Sequence, residues 1–169
     1  MKALKLFLWI FVLYVLQNIV CPIVSVTQLV PDLLLGFIVS YSALEHRFDK
    51  LSPVIIITAL VAATGTGRVF SIVMLFVGLA GILSYIFTGY LRFIPHFVRA
   101  QLVTLVFSFI MCISEFFVCA RTLTGAFIFG TALPCTLFTT VASCIIYLLV
   151  RYMIFKNTEK KLLIAQERN

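Results

Sequence analysis

Between Lys5 and Asp32 the chain carries no charged residue, and the same holds from Leu51 to Gly67, from Val69 to Leu91 and from Thr122 to Val150. This spacing constrains the fold more than any other feature. A helix rises 1.5 Å per residue, so about 20 residues cross the ~30 Å apolar layer of a bilayer. Backbone polar groups have no partner in lipid, which restricts spanning segments to helices or closed barrels. Runs of this length, without the alternation of barrel strands, specify helices. Hydrophobic residues make up 63% and charged residues 11% of the chain. A soluble domain has about half apolar residues and about a quarter charged ones. The excess apolar surface requires lipid as solvent.

Charges and helix breakers divide the chain into six expected spans: Leu4 to Cys21, Leu29 to Leu44, Leu51 to Gly67, Val69 to Thr88, Arg99 to Ala120 and Gly125 to Val150. The second and third are short. The expected fold is an all-α integral membrane protein of six transmembrane helices. Residues 1–150 form the membrane domain and residues 151–169 a basic tail that continues as helix along the membrane surface. The N-terminus resembles a signal peptide, but it lacks a small-residue cleavage site and is long enough to span. It reads as the first helix.

Cationic residues orient such proteins, because cytoplasmic loops carry an excess of Lys and Arg. With six spans, Lys2, Lys5, Arg47, Lys50, Arg92, Arg99, Arg151, Lys156, Lys160, Lys161 and Arg168 fall on one side. Only Arg68 and Arg121 fall on the other. Both termini are therefore expected in the cytoplasm. The net charge of +7 is explained by orientation and by attraction to anionic headgroups, so it calls for no nucleic acid.

Cys21, Cys112, Cys119, Cys135 and Cys144 form no CxxC pair and read as small hydrophobes. His46 and His96 fall in cytoplasmic turns, with no second ligand at metal spacing. The GTG at Gly65 to Gly67 lacks the Lys-Ser or Lys-Thr of a phosphate loop. No serine, histidine and acid share a face. The expectation is a protein that is not an enzyme and carries no cofactor or metal.

Five features remain as candidate sites. Pro31 and Asp32 form a helix-start signature, since Pro suits the first helical position and an acid suits the positive end of the helix dipole. That placement puts Asp32 at the outer face, where it either begins a helix or contacts a partner or ion. Glu115 lies inside the fifth span, where a charge costs about 2.5–3.5 kcal/mol or more. It is expected to face the bundle. Asp32, Glu115, Arg68 and Arg121 are expected to include an ion pair near the outer surface, serving either to lock the fold or to dock a partner. Ala59, Ala63 and Gly67 recur every four residues and allow close helix packing, within the chain or with a partner. Gly130 and Pro134 predict a kink in the sixth span, because Pro134 cannot donate to the Gly130 carbonyl and a glycine there relieves the clash.

The PDLLL of the second span, the glycine-bearing third and fourth spans VAATGTGRVFSIVMLFVGLAGILSYIFTGYL, and the fifth-span LVTLVFSFIMCISEFF with Glu115 resemble the rod shape-determining MreD family. The likeness covers about Val30 to Phe117. The third span has no acid where that family often carries one. The resemblance implies a non-catalytic scaffold of the bacterial cell-elongation complex in the cytoplasmic membrane. It implies binding to the single-span protein MreC, and through it coupling to RodA, a peptidoglycan transpeptidase and MreB. It also implies a fold like the six-helix substrate-binding subunits of energy-coupling-factor transporters. The alternative function is that of such a subunit, binding a vitamin in a pocket lined by Glu115 and the kinked sixth span.

Overall fold

The computed structural model describes residues 2–24, 30–65, 69–90, 93–118 and 127–155. All the regular structure among them is helical. Helix α1 (Lys2–Val15) runs on through a π-helical turn, Leu16–Val20, into a last turn at Cys21–Val24. Then follow α2 (Leu33–Leu44), α3 (Phe48–Gly65), α4 (Phe70–Tyr90) and α5 (His96–Val118). The last helix, α6 (Leu133–Val150), is preceded by the π-helical turn Ile128–Ala132 and followed by another at Arg151–Phe155.

Among the described residues four helical stretches are long and apolar enough to cross a membrane: Leu4–Ile23, Phe70–Tyr90, His96–Val118 and Ile128–Ile154. This is an all-α protein with the character of a membrane protein.

The helices alternate in direction. Phe48 at the start of α3 packs on Tyr85 near the end of α4, and Phe97 at the start of α5 packs on Tyr147 near the end of α6. The Ala43 carbonyl, near the end of α2, meets His96 at the start of α5. These contacts gather at one end of the bundle, which also carries Arg47, Lys50, Arg99 and Arg151; it is called the basic end below. At the opposite end, Gln17 late in α1 meets Asp32 before α2, and Phe116 late in α5 stacks on Phe127 ahead of α6.

The expected second span is not lipid-facing. Helix α2 has only 12 residues, and all of them except Leu44 are buried. It is the central post of the bundle, against which α3, α4, α5 and α6 pack. Its uniform apolarity suits a helix surrounded by protein as well as one in lipid, so length is the distinguishing property.

The other helices bury narrow stripes and expose bulky ones. In α3 the buried positions Leu51, Val54, Ile55, Thr58, Ala59, Ala62 and Ala63 recur at helical spacing. In α6 the inner face carries Thr136, Thr139 and Ser143, whereas Leu137, Phe138, Val141, Ile145 and Leu148 face outward. Small and hydroxyl residues inside with large apolar ones outside are what a lipid-solvated bundle requires, since its interior gains from close approach rather than from apolarity. The approach is tight where glycine permits it. A Cβ on Gly81 of α4 would stand 3.1 Å from side-chain atoms of both Ile38 and Ile55.

Several inner hydroxyls are satisfied locally or across helices, whereas those of Ser40, Ser42, Thr58 and Ser108 are enclosed without a hydrogen-bond partner. Thr104 and Thr136 donate to carbonyls one turn back, Ala100 and Ala132. Ser84 of α4 donates across to the Val39 carbonyl of α2 at 2.9 Å. Ser143 of α6 is bonded to Gln101 of α5.

Candidate functional site

Two polar constellations sit at opposite ends of the central helix. The first surrounds Asp32. Helix α2 begins at Leu33, so Asp32 is the residue flanking the first turn and Pro31 lies outside it. This corrects the expectation of Pro31 as first helical residue. The Asp32 side chain does not cap its own helix. Gln17 performs that role from the π-turn of α1. Its Oε1 accepts the Leu34 N–H at 3.1 Å, and its Nε2 donates to the Asp32 carboxylate at 3.4 Å.

Asp32 is also fixed from the other side, its backbone N–H donating to Thr139 Oγ1 at 3.1 Å. The Cys135 thiol approaches the Val30 carbonyl at 3.6 Å. Gln17 and Asp32 are 2% and 4% exposed. The acid is therefore buried between α1, α2 and α6. A helix start buried in protein needs partners for its orphan N–H groups, and here they come from neighbouring helices.

Gln17 was the residue that sequence reasoning missed. The signal lay in spacing: Ile10, Leu13 and Gln17 stand at i, i+3 and i+7, and all three are buried. A glutamine on the inner stripe of an otherwise apolar helix must find a partner inside.

Glu115 is half-buried on α5, one turn beyond the buried Cys112, with one carboxylate oxygen enclosed. Cys112, Ala132 and Cys135 form a small apolar cluster there, with Phe109 and Phe127 against it. Arg68, Arg121 and Gly67 lie outside the described residues, as does Cys119. The expected ion pair near Asp32 and Glu115 falls partly on them.

Ala59 and Ala63 are buried in the chain's own core. Gly130 lies within the π-helical turn Ile128–Ala132 and Pro134 just after it, so the segment is not broken, and α6 continues without interruption from Ala132. A Cβ on Gly130 would meet nothing within 4 Å. The wider turn thus accommodates Pro134, and Gly130 is not needed to relieve a clash.

The second constellation lies at the basic end. Arg99, the expected first residue of the fifth span, sits in the first turn of α5, 4% exposed. Its Nη1 donates to the carbonyls of Phe87 and Thr88 at 2.9 and 3.1 Å. These belong to the last turn of α4, whose carbonyls have no partner within their own helix. A cation there also meets the negative end of the helix dipole. His96, three residues earlier, places Nδ1 3.0 Å from the Ala43 carbonyl in the last turn of α2. The same nitrogen lies 3.0 Å from Arg99 Nη2. One turn of α5 therefore closes the ends of two neighbouring helices. His46 stacks beside His96 with ring centroids 6.3 Å apart. An open groove of about 600 Å³ lies over this cluster, lined by Glu45, His46, Tyr85, Gly89, Tyr90 and Arg99 among others.

Compared with protein-family models, curated proteins and solved structures, the chain finds no match. Among the described residues no three His, Cys, Asp or Glu side chains are grouped as a metal site. Cys21 and Cys144 are free thiols.

Proposed function

We propose that the protein is a non-catalytic scaffold of the bacterial cell-elongation complex, like the MreD family its sequence resembles. In this reading it crosses the cytoplasmic membrane six times with both ends inside. It binds an MreC-like protein through that partner's single transmembrane helix, and so helps couple RodA, a transpeptidase and MreB.

The observation that carries the reading is the filled centre of the bundle. The Pro-Asp segment leads into a helix whose Leu34, Leu35, Phe37, Ile38 and Val39 are enclosed on every side. A solid bundle with bulky apolar flanks suits docking of another helix. Between apolar helices in lipid, shape and a few hydrogen bonds supply the affinity. The alternation of helix directions and the clustering of Arg47, Lys50, Arg99 and Arg151 at one end support the topology. A vitamin-binding subunit would instead need a chamber opening at the Asp32 end.

The test is co-expression with an MreC-like partner and affinity purification, together with depletion in the native host. Co-elution of the pair and rounding of depleted cells are expected. Elution alone, with unchanged cell shape after deletion, would defeat the proposal. A vitamin that raised the unfolding temperature of the purified chain would favour the transporter reading.

A further inference from the structure

We propose that the groove over Arg99 and His96 holds the phosphate headgroup of an anionic phospholipid. Arg99 is the first reason. Its guanidinium is buried, yet its hydrogen-bond partners are two carbonyls and a ring nitrogen, none of them an anion. Its Nε–H is enclosed without a partner. The nearby Asp49 stands 4.0 Å from Arg47, and that pair is exposed at the surface. A buried charge is costly unless paired.

His96 is the second reason. A single Nδ1 cannot both donate to the Ala43 carbonyl and accept from Arg99 Nη2, although it lies 3.0 Å from each. Whichever bond forms, one neighbour is left wanting. An anionic oxygen in the groove resolves the conflict. Arg99 Nη2 donates to the anion, and Nδ1–H donates to Ala43.

The surroundings favour a lipid over free phosphate. Glu45 lines the same groove and repels a dianion more than a singly charged diester. Ile86 in the groove and Ile82 one turn away expose apolar surface along α4, where an acyl chain would lie. Tyr90, which lines the groove and is 80% exposed, is the amphipathic aromatic residue typical of the headgroup level. The inference rests on the membrane character of the helices and not on the partner proposed above.

The test uses the purified full chain in detergent. Unfolding temperature and lipid retention by native mass spectrometry are read with phosphatidylglycerol, with diacylglycerol, which has the same acyl chains and no phosphate, and with inorganic phosphate. Phosphatidylglycerol is expected to raise the unfolding temperature and to be retained at least about tenfold over diacylglycerol, the factor one charge-assisted hydrogen bond supplies. Arg99→Gln should abolish that preference. Gly89→Leu should also abolish it by filling the groove, and a Cβ there meets nothing within 4 Å, so the fold is kept. If Arg99→Gln does not fold, Gly89→Leu carries the test. Equal retention of the two lipids, or a preference undiminished in Gly89→Leu, overturns the proposal. Inorganic phosphate matching the full effect of phosphatidylglycerol overturns the lipid assignment.

Discussion

Gly36 lies so close to Ser143 that a Cβ on it would stand 2.8 Å from the Ser143 Cβ and 3.2 Å from its Cα. The central helix and α6 meet there nearly backbone to backbone, and the missing side chain of Gly36 makes the approach possible. The same contact aligns Thr139, one turn earlier on α6, with the backbone N–H of Asp32.

Gly36→Ala is therefore expected to force α2 and α6 apart, at a cost of about 1–3 kcal/mol. Gly78→Ala is the control, because a Cβ there meets nothing within 4 Å and alanine is the better helix former. Thermal unfolding in detergent should show a lowered midpoint for the first and an unchanged or raised midpoint for the second.

Gln17→Leu keeps the size of the side chain but removes the acceptor of the Leu34 N–H and a donor to Asp32. Leaving a buried helix start short of these partners costs about 1–3 kcal/mol. Asn18 bonds only back to the Tyr14 carbonyl on its own helix, so Asn18→Leu should stay within about 0.5 kcal/mol of the parent. Equal unfolding midpoints for the two variants would remove Gln17 from its role as cap.

Ala59→Leu places added bulk inside the chain's own core. The expected result is destabilisation by about 1–3 kcal/mol, with partner capture unchanged per folded molecule. Loss of capture in a variant of normal stability would instead make this face a partner surface.

Sidedness follows from the alternation of the helices. In a background lacking the native cysteines, single cysteines at Asp49 and Tyr152, both exposed at the basic end, should react from the same side of the membrane. Cysteines at Ile23 and Val118, exposed at the other end, should react from the opposite side. Impermeant thiol labelling of oriented vesicles reads this directly.

Much of the fold was legible because charge-free runs leave a chain few options in lipid. Phe70–Tyr90 and Ile128–Ile154 match expected spans to within a few residues. The position of α2 was not legible. A run such as LLLGFIVSYSAL is equally apolar whether lipid or protein surrounds it, and hydropathy does not separate the two.

Pro31 and Asp32 marked a helix start, but the atoms that complete it come from Gln17 and Thr139, which lie far away in sequence. The partners of Arg99 were hidden for a related reason. The sequence sets it at the start of a span, but only the neighbouring helix end offers it the Phe87 and Thr88 carbonyls.

By itself, the order of apolar runs and charges determined that this protein is helical, that it has the character of a membrane protein and roughly where its long apolar helices run. Those properties follow from the backbone's need for internal hydrogen bonds wherever water is absent. Only the tertiary structure decided which helix stands at the centre, which polar side chains close its two ends, and that Asp32 and Arg99 are buried rather than displayed. Such choices depend on shape and hydrogen-bond geometry between segments distant in sequence, and residue order does not carry that information.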